Sequence, residues 1–262
     1  MATAYPKPED FARALLSRLG VKQPANLADI TRRIGLTIRE VNSKAFDGAL
    51  LRAPDRPLGI IAVKARADMR EFRRQRFTIA HEIGHYVLPG HGTTSPVCRE
   101  DQIEAWGQGA TKQEDAANRF ASELLLPSEQ VAPVVKEGSA SIQTARLLSN
   151  DFQTSLTAAA LKCVEVSEES CALVVSFDGV VQRYRPSRSW RYLIPTGCKL
   201  SPGTLAKYLP EDSDEGQKSG VVSALAWAMG NKYMEMGANL MEDSILLPRY
   251  NIVLSILTEI GH

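Results

Sequence analysis

The first third of the chain has a pattern typical of helices followed by strands. Apolar residues recur every four positions at Phe11, Leu15 and Leu19, which is the spacing of one helix face. A second helix is expected from Asn26 to Ile34, with Asn26 as its N-cap. Strands are expected over the alternating or branched apolar runs that follow, which are Leu36 to Val41, Ala49 to Arg52 and Leu58 to Val63.

The middle of the chain is predicted to be helical around one long polar loop. A long helix is expected from about Asp68 to Leu88, and another from about Gln113 to Leu126. The segment from Pro89 to Lys112 between them is rich in Gly, Thr, Ser and charge. A loop of that length is uncommon unless it serves a function or is mobile. Two shorter helices are expected between Ser139 and Val166.

The last third of the chain changes towards strands. The turn Asp178-Gly179 separates two apolar runs, Cys171 to Phe177 and Val180 to Arg185, which predicts a β-hairpin. Three more elements are expected after it: a short helix from Ser201 to Leu209, a polar loop from Pro210 to Gly220, and either a strand pair or a buried helix from Ile245 to Ile260. Together these patterns predict an α+β fold.

Composition excludes several classes of protein. Apolar residues make up 44% and charged residues 23% of the chain, which provides a core and excludes wholesale disorder. The net charge is +1, so no overall field favours nucleic acid or an anionic membrane. The four cysteines form no C-x-x-C pair, and no run approaches the ~18 apolar residues of a membrane span. We expect a reduced, cytoplasmic protein without a signal peptide.

The segment from His81 to His85 carries the strongest chemical signal. It has the pattern His-Glu-x-x-His on a predicted helix, which places both imidazoles one turn apart on one face, where they can hold one ion. Glu82 lies at the edge of that face, in the position of a general base that is not itself a ligand. Gly84 costs a helix about 1 kcal/mol relative to Ala, which predicts close approach of another backbone or of a substrate.

Two residues are candidates for a third metal ligand. His91 lies ten residues after His81, as in the pattern H-E-x-x-H-x-x-G-x-x-H, but Leu88 stands where that pattern has glycine. Glu114, near the start of the next predicted helix, would instead give a set of two histidines and one glutamate. Asn118, one turn after Glu114, is placed to orient a ligand. The residues favour Glu114 and leave His91 open.

Two blocks of sequence resemble one known family. Residues 76–85 (RFTIAHEIGH) and 114–127 (EDAANRFASELLLP) resemble the paired motifs of the ImmA/IrrE family of metallo-endopeptidases. The resemblance is good over about Ala49 to Pro127 and weaker as far as Val166. It implies that zinc is bound by two histidines and one glutamate and that a second glutamate is the catalytic base; such a set of ligands also permits manganese. The implied ligands are His81, His85 and Glu114, and the implied base is Glu82.

The resemblance also implies a function and a layout. Members of the family cleave transcriptional repressors, often with a helix-turn-helix domain, and so switch on stress-response or mobile-element genes. The expected layout is a zincin-like metallopeptidase domain over residues 1–130, in which a small sheet accompanies the site helix. A helical, helix-turn-helix-like segment is expected over 131–168, and a C-terminal α+β domain, a candidate sensor, over 169–262. The substrate is expected to add as an extended strand beside Ala49 to Arg52 or Leu58 to Val63.

An alternative function comes from a different class of protein. The chain could be a DNA-binding or ligand-sensing transcription regulator in which the metal site is structural or vestigial. The second helix of the predicted pair, Ser155 to Val164, carries one cation, Lys162, which favours packing or partner docking over DNA binding. Three ligands and an intact Glu82 favour the enzyme, because structural zinc sites usually fill all four positions.

Two further features have an ordinary and a functional interpretation. Cys98, in the long polar loop, could cap the metal as a thiolate, although an unremarkable loop thiol is favoured. A basic cluster at the start of the site helix could steer an acidic substrate, although a solvated helix face is the more common reason for such a run. Its members are Arg66, Arg70, Arg73, Arg74 and Arg76.

Overall fold

A computed structural model describes seven stretches of the chain, which are residues 6–43, 46–52, 58–66, 69–91, 111–209, 216–227 and 238–260, with the side chains at 69 and 70 excepted. The chain divides into two compact units. The first consists of residues 1–127 and 148–158, and the second of residues 128–147 and 159–262. Each unit is built around one β-sheet.

The described residues form seven α-helices and two β-sheets, so the predicted α+β fold class is confirmed. The helices are α1 (Pro8–Leu19), α2 (Leu27–Arg33), α3 (Met69–Val87), α4 (Lys112–Leu125), α5 (Ser128–Gly138), α6 (Ile142–Asp151) and α7 (Leu156–Val166). The strands are β1 (Leu36–Val41), β2 (Gly48–Arg52), β3 (Gly59–Lys64), β4 (Cys171–Phe177), β5 (Val180–Pro186), β6 (Gln217–Ser223), β7 (Asn239–Leu247) and β8 (Ile252–Glu259). No described helix combines the length and hydropathy that a membrane span needs.

The sheet of the first unit has the order β1-β3-β2. β1 runs parallel to β3, and β2 runs antiparallel to it. β3 is therefore the central strand, and β2 is an edge strand whose other side pairs with no described strand. Leu50 and Ile61 lie on the inner face of the sheet, where they are buried in one core with Ile83 of α3. The sheet thus places an open strand edge beside the helix that carries the His-Glu-x-x-His pattern.

α3 and α4 pack closely because small residues lie between them. A Cβ atom added at Gly84 of α3 would lie 3.2 Å from the Cα atom and 3.3 Å from the carbonyl oxygen of Ala117 in α4. The same atom would lie 3.2 Å from Cδ1 of Phe120. The prediction that another backbone approaches Gly84 is therefore confirmed.

The sheet of the second unit is antiparallel, with the order β5-β4-β8-β7-β6. The predicted hairpin is present as β4 and β5, joined by a turn in which Asp178 and Gly179 both have positive φ. Asp243 of β7 accepts a hydrogen bond from the backbone N–H of Ile142, the first residue of α6, at 2.8 Å. Glu242 is fully buried and accepts a bond from the Trp227 indole N–H at 2.8 Å.

Three local predictions need correction. The two helices predicted between Ser139 and Val166 are present as α6 and α7, but a further helix that was not predicted, α5 (Ser128–Gly138), precedes them and contains Pro133 in its interior. The short helix predicted from Ser201 to Leu209 is a single 3-10 turn, Ala206–Tyr208. Part of the predicted polar loop from Pro210 to Gly220 is strand, because Gln217–Ser223 pairs with β7. The open choice for Ile245 to Ile260 is resolved as a strand pair, formed by the end of β7 and by β8.

Candidate metal centre

α3 and α4 bring the three predicted ligand side chains together. His81 and His85 lie one turn apart on α3, and Glu114 lies in the first turn of α4. Thr111 is the N-cap of α4, and its hydroxyl oxygen accepts a hydrogen bond from the backbone N–H of Glu114. All three side chains are buried, and one potential ligand atom from each lies within 4.8 Å of the others. Within the described part of the chain, no other set of three His, Cys, Asp or Glu side chains converges in this way.

The distances between these atoms fit one tetrahedral ion. The Nε2 atoms of His81 and His85 are 3.0 Å apart. Glu114 lies 3.1 Å from Nε2 of His81 through Oε2 and 3.4 Å from Nε2 of His85 through Oε1. Bonds of ~2.0–2.1 Å around a tetrahedral zinc ion separate neighbouring ligand atoms by about 3.3 Å. The donor atoms therefore have about the spacing of ligands around one tetrahedral divalent ion.

The outer nitrogen of each histidine has a partner that orients the ring. Nδ1 of His81 donates to Oδ1 of Asn118 at 2.8 Å, which is the contact expected of Asn118 from the sequence. Nδ1 of His85 lies 2.8 Å from Nδ1 of His91. The contact with Asn118 favours the tautomer with the proton on Nδ1, which is the form that leaves a lone pair on Nε2 for a metal ion. His91 thus contacts a candidate ligand from the outside and is not one of the three converging groups.

The carboxyl group of Glu114 is held in its charged form. Burial would raise its pKa, but hydrogen bonds with His81 and His85 outweigh burial and lower the pKa to about 2. Burial, together with the nearby His85, lowers the pKa of His91 to about 4. Glu114 is therefore an anion throughout the neutral range, and His91 is a neutral imidazole. A negative carboxylate beside two imidazole rings forms a site suited to a cation.

Glu82 lies on the same helix, between the two histidines, and its side chain is fully buried. It faces the first residue of β2, because a Cβ atom added at Gly48 would lie 3.0 Å from Glu82 Oε1 and 3.5 Å from Glu82 Cγ. At the other end of β2, Arg52 donates to the carbonyl oxygen of His85 at 3.1 Å. The edge strand β2 therefore runs alongside the segment that carries both histidines.

The arginine cluster that leads into α3 makes contacts within the protein. Arg73 donates to Ser149 Oγ and Asn150 Oδ1, both at 2.9 Å, whereas Arg74 pairs with Asp47 at 3.1 Å. Arg66 stacks over the Phe72 ring at 5.0 Å, and Arg76 is buried and donates to the carbonyl oxygen of Ala25 at 3.0 Å. The side chain of Arg70 lies outside the described residues. These contacts favour the ordinary interpretation of the cluster over the steering of an acidic substrate.

Two further predicted candidates are Cys98 and Lys162. Cys98 lies outside the described residues. Lys162, the one cation of the predicted second helix, is 1% exposed and pairs with Glu165 at 3.2 Å. A lysine with that exposure has little reach towards a phosphate backbone. The contact between α7 and DNA that the alternative function would use is therefore not favoured.

Sequence reasoning missed two residues near the centre. Arg52 is the last residue of the predicted strand Ala49 to Arg52, and Gly48 lies just before it, but nothing in their own sequence context links them to Glu82 or His85. A glycine at the start of a strand is a general signal of close approach by another group. That signal could have identified Gly48 but not the group that approaches it.

Comparison with known proteins agrees with these features. The sequence model of the IrrE N-terminal-like domain, peptidase family M78, matches residues 31–163, just over half of the chain. No curated protein sequence matches the chain. Among solved structures, a Mycobacterium tuberculosis transcriptional regulator is similar with a TM-score of 0.60 over 96% of this chain and 76% of that one, at 13% identity. Similarity at that identity shows a shared fold alone. The chain therefore belongs to the IrrE N-terminal-like domain family, peptidase family M78.

Proposed function

We propose that this protein is a metal-dependent endopeptidase that cleaves a regulatory protein. The observation that carries the proposal is the convergence of His81, His85 and Glu114 at distances of 3.0 to 3.4 Å, beside a buried Glu82. Membership of peptidase family M78 supports the same conclusion. Three ligands leave one position of a tetrahedral ion open, which is typical of catalytic rather than structural zinc.

The two histidines and Glu114 would hold the ion, and Asn118 and His91 would orient the histidine rings. Zinc is the expected metal, and manganese is compatible with the same imidazole and carboxylate donors. A divalent cation at this position supplies Lewis acidity, which makes water more acidic and polarises the scissile carbonyl group. The carboxylate of Glu114 partly neutralises the cation and fixes it between α3 and α4.

Glu82 would act as the general base and then as the general acid. Its carboxylate accepts a proton from the attacking water and returns that proton to the nitrogen of the leaving amine. The position of Glu82 supports this role, because it follows His81 on the same helix and is not one of the three converging groups. Its burial keeps bulk water away from the proton that it transfers.

The substrate would bind as an added strand along β2. Of the two strands expected to serve, β3 is paired on both sides, whereas β2 has an open edge among the described strands. The bond from Lys64 N–H to the Asp47 carbonyl at 3.0 Å fixes which residues face β3. In an antiparallel pair, successive residues direct their backbone groups alternately to the two sides of the strand. Because Asp47 faces β3, the backbone groups of Gly48, Leu50 and Arg52 face the open edge. Backbone hydrogen bonds there would align the peptide beside Glu82.

The proposed substrate is a transcriptional repressor with a helix-turn-helix domain, cleaved in the cytoplasm to switch on stress-response or mobile-element genes. This choice rests on the resemblance of the two sequence motifs. In this proposal residues 1–130 form a zincin-like peptidase domain, 131–168 a helix-turn-helix-like segment and 169–262 a sensory domain. The buried Lys162 supports a packing role for the helical segment, and a DNA-binding regulator with a structural metal is the alternative.

Co-expression with repressors encoded next to this gene tests the proposal. We expect the wild-type chain to produce zinc-dependent repressor fragments, and Glu82→Gln to produce none while retaining the metal. Glu129→Gln, which changes an exposed carboxylate on α5, is the matched control and should cleave normally. Cleavage by Glu82→Gln at the wild-type rate would contradict the proposal. Sequence-selective gel shifts by the Glu82→Gln protein, without any cleavage by wild type, would support the alternative.

A further inference from the structure

Gly48, the first residue of β2, lies against the proposed general base. A Cβ atom at this position would lie 2.4 Å from Cγ2 of Thr78 and 3.0 Å from Oε1 of Glu82. Carbon atoms in favourable contact are about 3.5–4.0 Å apart. Gly48 is not among the described glycines with a positive φ, so its backbone conformation does not itself require glycine. The requirement comes from the space beside α3.

The two groups that meet Gly48 have little freedom to move. Thr78 is 2% exposed and its hydroxyl donates to the carbonyl oxygen of Arg74 at 3.3 Å. A β-branched residue inside a helix is also restricted at χ1. Glu82 is one turn further along the same face of α3 and is fully buried. Neither side chain can turn into solvent to make room.

The start of the strand is also held in place. Gly48 pairs with Val63 in the β2–β3 ladder. The preceding residue, Asp47, accepts a hydrogen bond from Lys64 N–H at 3.0 Å and pairs with Arg74 of α3 at 3.1 Å. These contacts fix the strand to its neighbour in the sheet and to the helix. A side chain at position 48 would therefore displace the strand edge or Glu82.

We propose that Gly48 is a positioning residue for Glu82. The missing side chain allows the start of β2 to lie directly against Glu82, so that the base and the substrate-binding strand keep one fixed separation. This inference rests on the proposed function, because it assigns Glu82 the role of base. A displacement of about 1 Å in a catalytic arrangement can cost about 100-fold in rate.

Gly59 provides a matched control in the same sheet. A Cβ atom there would lie 2.7 Å from Cδ2 of Leu36 and 3.1 Å from the carbonyl oxygen of Leu51. Gly59→Ala therefore introduces a comparable clash between strands, and the three atoms nearest to the added methyl group belong to Leu36, Leu50 and Leu51 rather than to Glu82. Thr78→Ser removes the methyl group that Gly48→Ala would strike first and keeps the hydroxyl group. The double variant Gly48→Ala/Thr78→Ser leaves the contact with Glu82 as the principal conflict.

The test uses acetohydroxamate as a probe, so that it needs no knowledge of the substrate. This compound chelates a divalent cation and gives up its hydroxyl proton to a neighbouring carboxylate, which makes its affinity sensitive to the position of Glu82. We would measure zinc affinity, urea stability and acetohydroxamate affinity of the full chain for all variants. Gly48→Ala should keep its zinc affinity within about threefold of wild type. Its acetohydroxamate affinity should fall by about tenfold, which is the low end of the loss seen when a group that supports a metal site is changed.

The controls decide the interpretation. Gly59→Ala should bind acetohydroxamate as the wild type does, even if its urea stability falls. The double variant should regain stability and still bind the probe more weakly than wild type, which keeps the test valid if Gly48→Ala does not fold. Wild-type probe affinity in the double variant, or an equal loss in Gly59→Ala, would overturn the role of Gly48. Unchanged probe affinity in Glu82→Gln would instead overturn the role of Glu82 in the proposed function.

Discussion

The Nδ1 atom of His81 lies 2.8 Å from the Oδ1 atom of Asn118, across the interface between α3 and α4. Asn118 is 3% exposed, so this hydrogen bond is shielded from water. The bond holds the ring in the orientation that directs Nε2 towards Glu114, and it favours the tautomer with the proton on Nδ1. Asn118, four positions after Glu114 on α4, thus controls the orientation of the His81 ring on α3.

Removal of the Asn118 amide should weaken metal binding. Without the acceptor, the His81 ring can rotate and can protonate at Nε2, so Asn118→Ala should lower zinc affinity by about 10–100-fold. Asn118→Asp keeps an acceptor at the same place and should retain more of the affinity. Competition with a chromophoric chelator measures the change, with Lys112→Ala on the exposed side of α4 as control. Equal zinc affinity in Asn118→Ala and wild type would contradict this role.

The third ligand can be identified by comparing two alanine variants. Glu114→Ala removes a converging donor and should lower zinc affinity by more than about 100-fold, beyond the cost of losing an orienting contact. His91→Ala removes a contact to the outer nitrogen of His85 and should cost about tenfold. Metal content after dialysis, read by mass spectrometry, distinguishes the two. Metal retained by Glu114→Ala and lost by His91→Ala would make His91 the ligand.

The close packing of α3 on α4 predicts the effect of a single methyl group. Gly84→Ala gains about 1 kcal/mol of helix propensity, but it forces a methyl group to within 3.2 Å of Ala117 Cα. Overpacking typically costs about 1–3 kcal/mol, so we expect a net loss of roughly 1 kcal/mol in the free energy of unfolding. Urea unfolding of the metal-free chain measures this value. A variant that is more stable by the full propensity gain would show that the helices can separate freely.

Local sequence signals predicted the elements that carry the site. The apolar spacing and the His-Glu-x-x-His pattern predicted α3 to within one residue at each end. The N-cap role of Asn26 is confirmed by its bond from the Asp29 N–H at 3.0 Å. These features depend on neighbours within one helical turn, and such neighbours are visible in the sequence.

Features that depend on distant partners could not be predicted in the same way. Pro133 disfavours a helix interior by about 3 kcal/mol, yet α5 continues through it with Val131 and Val135 buried on one side. β6 contains polar residues and Gly220, and it is a strand because β7 pairs with it. The contact of Gly48 with Glu82 joins segments 34 residues apart in the chain. No pattern within a few residues of Gly48 predicts a contact over that distance in the chain.

The most direct test of the central claim is anomalous diffraction at the zinc edge from crystals of the full chain grown with zinc. We expect one strong peak about 2.0–2.2 Å from Nε2 of His81, Nε2 of His85 and a carboxylate oxygen of Glu114, with Glu82 not bound to it. A peak bound by His91 in place of Glu114, or no peak between the two histidines, would contradict it.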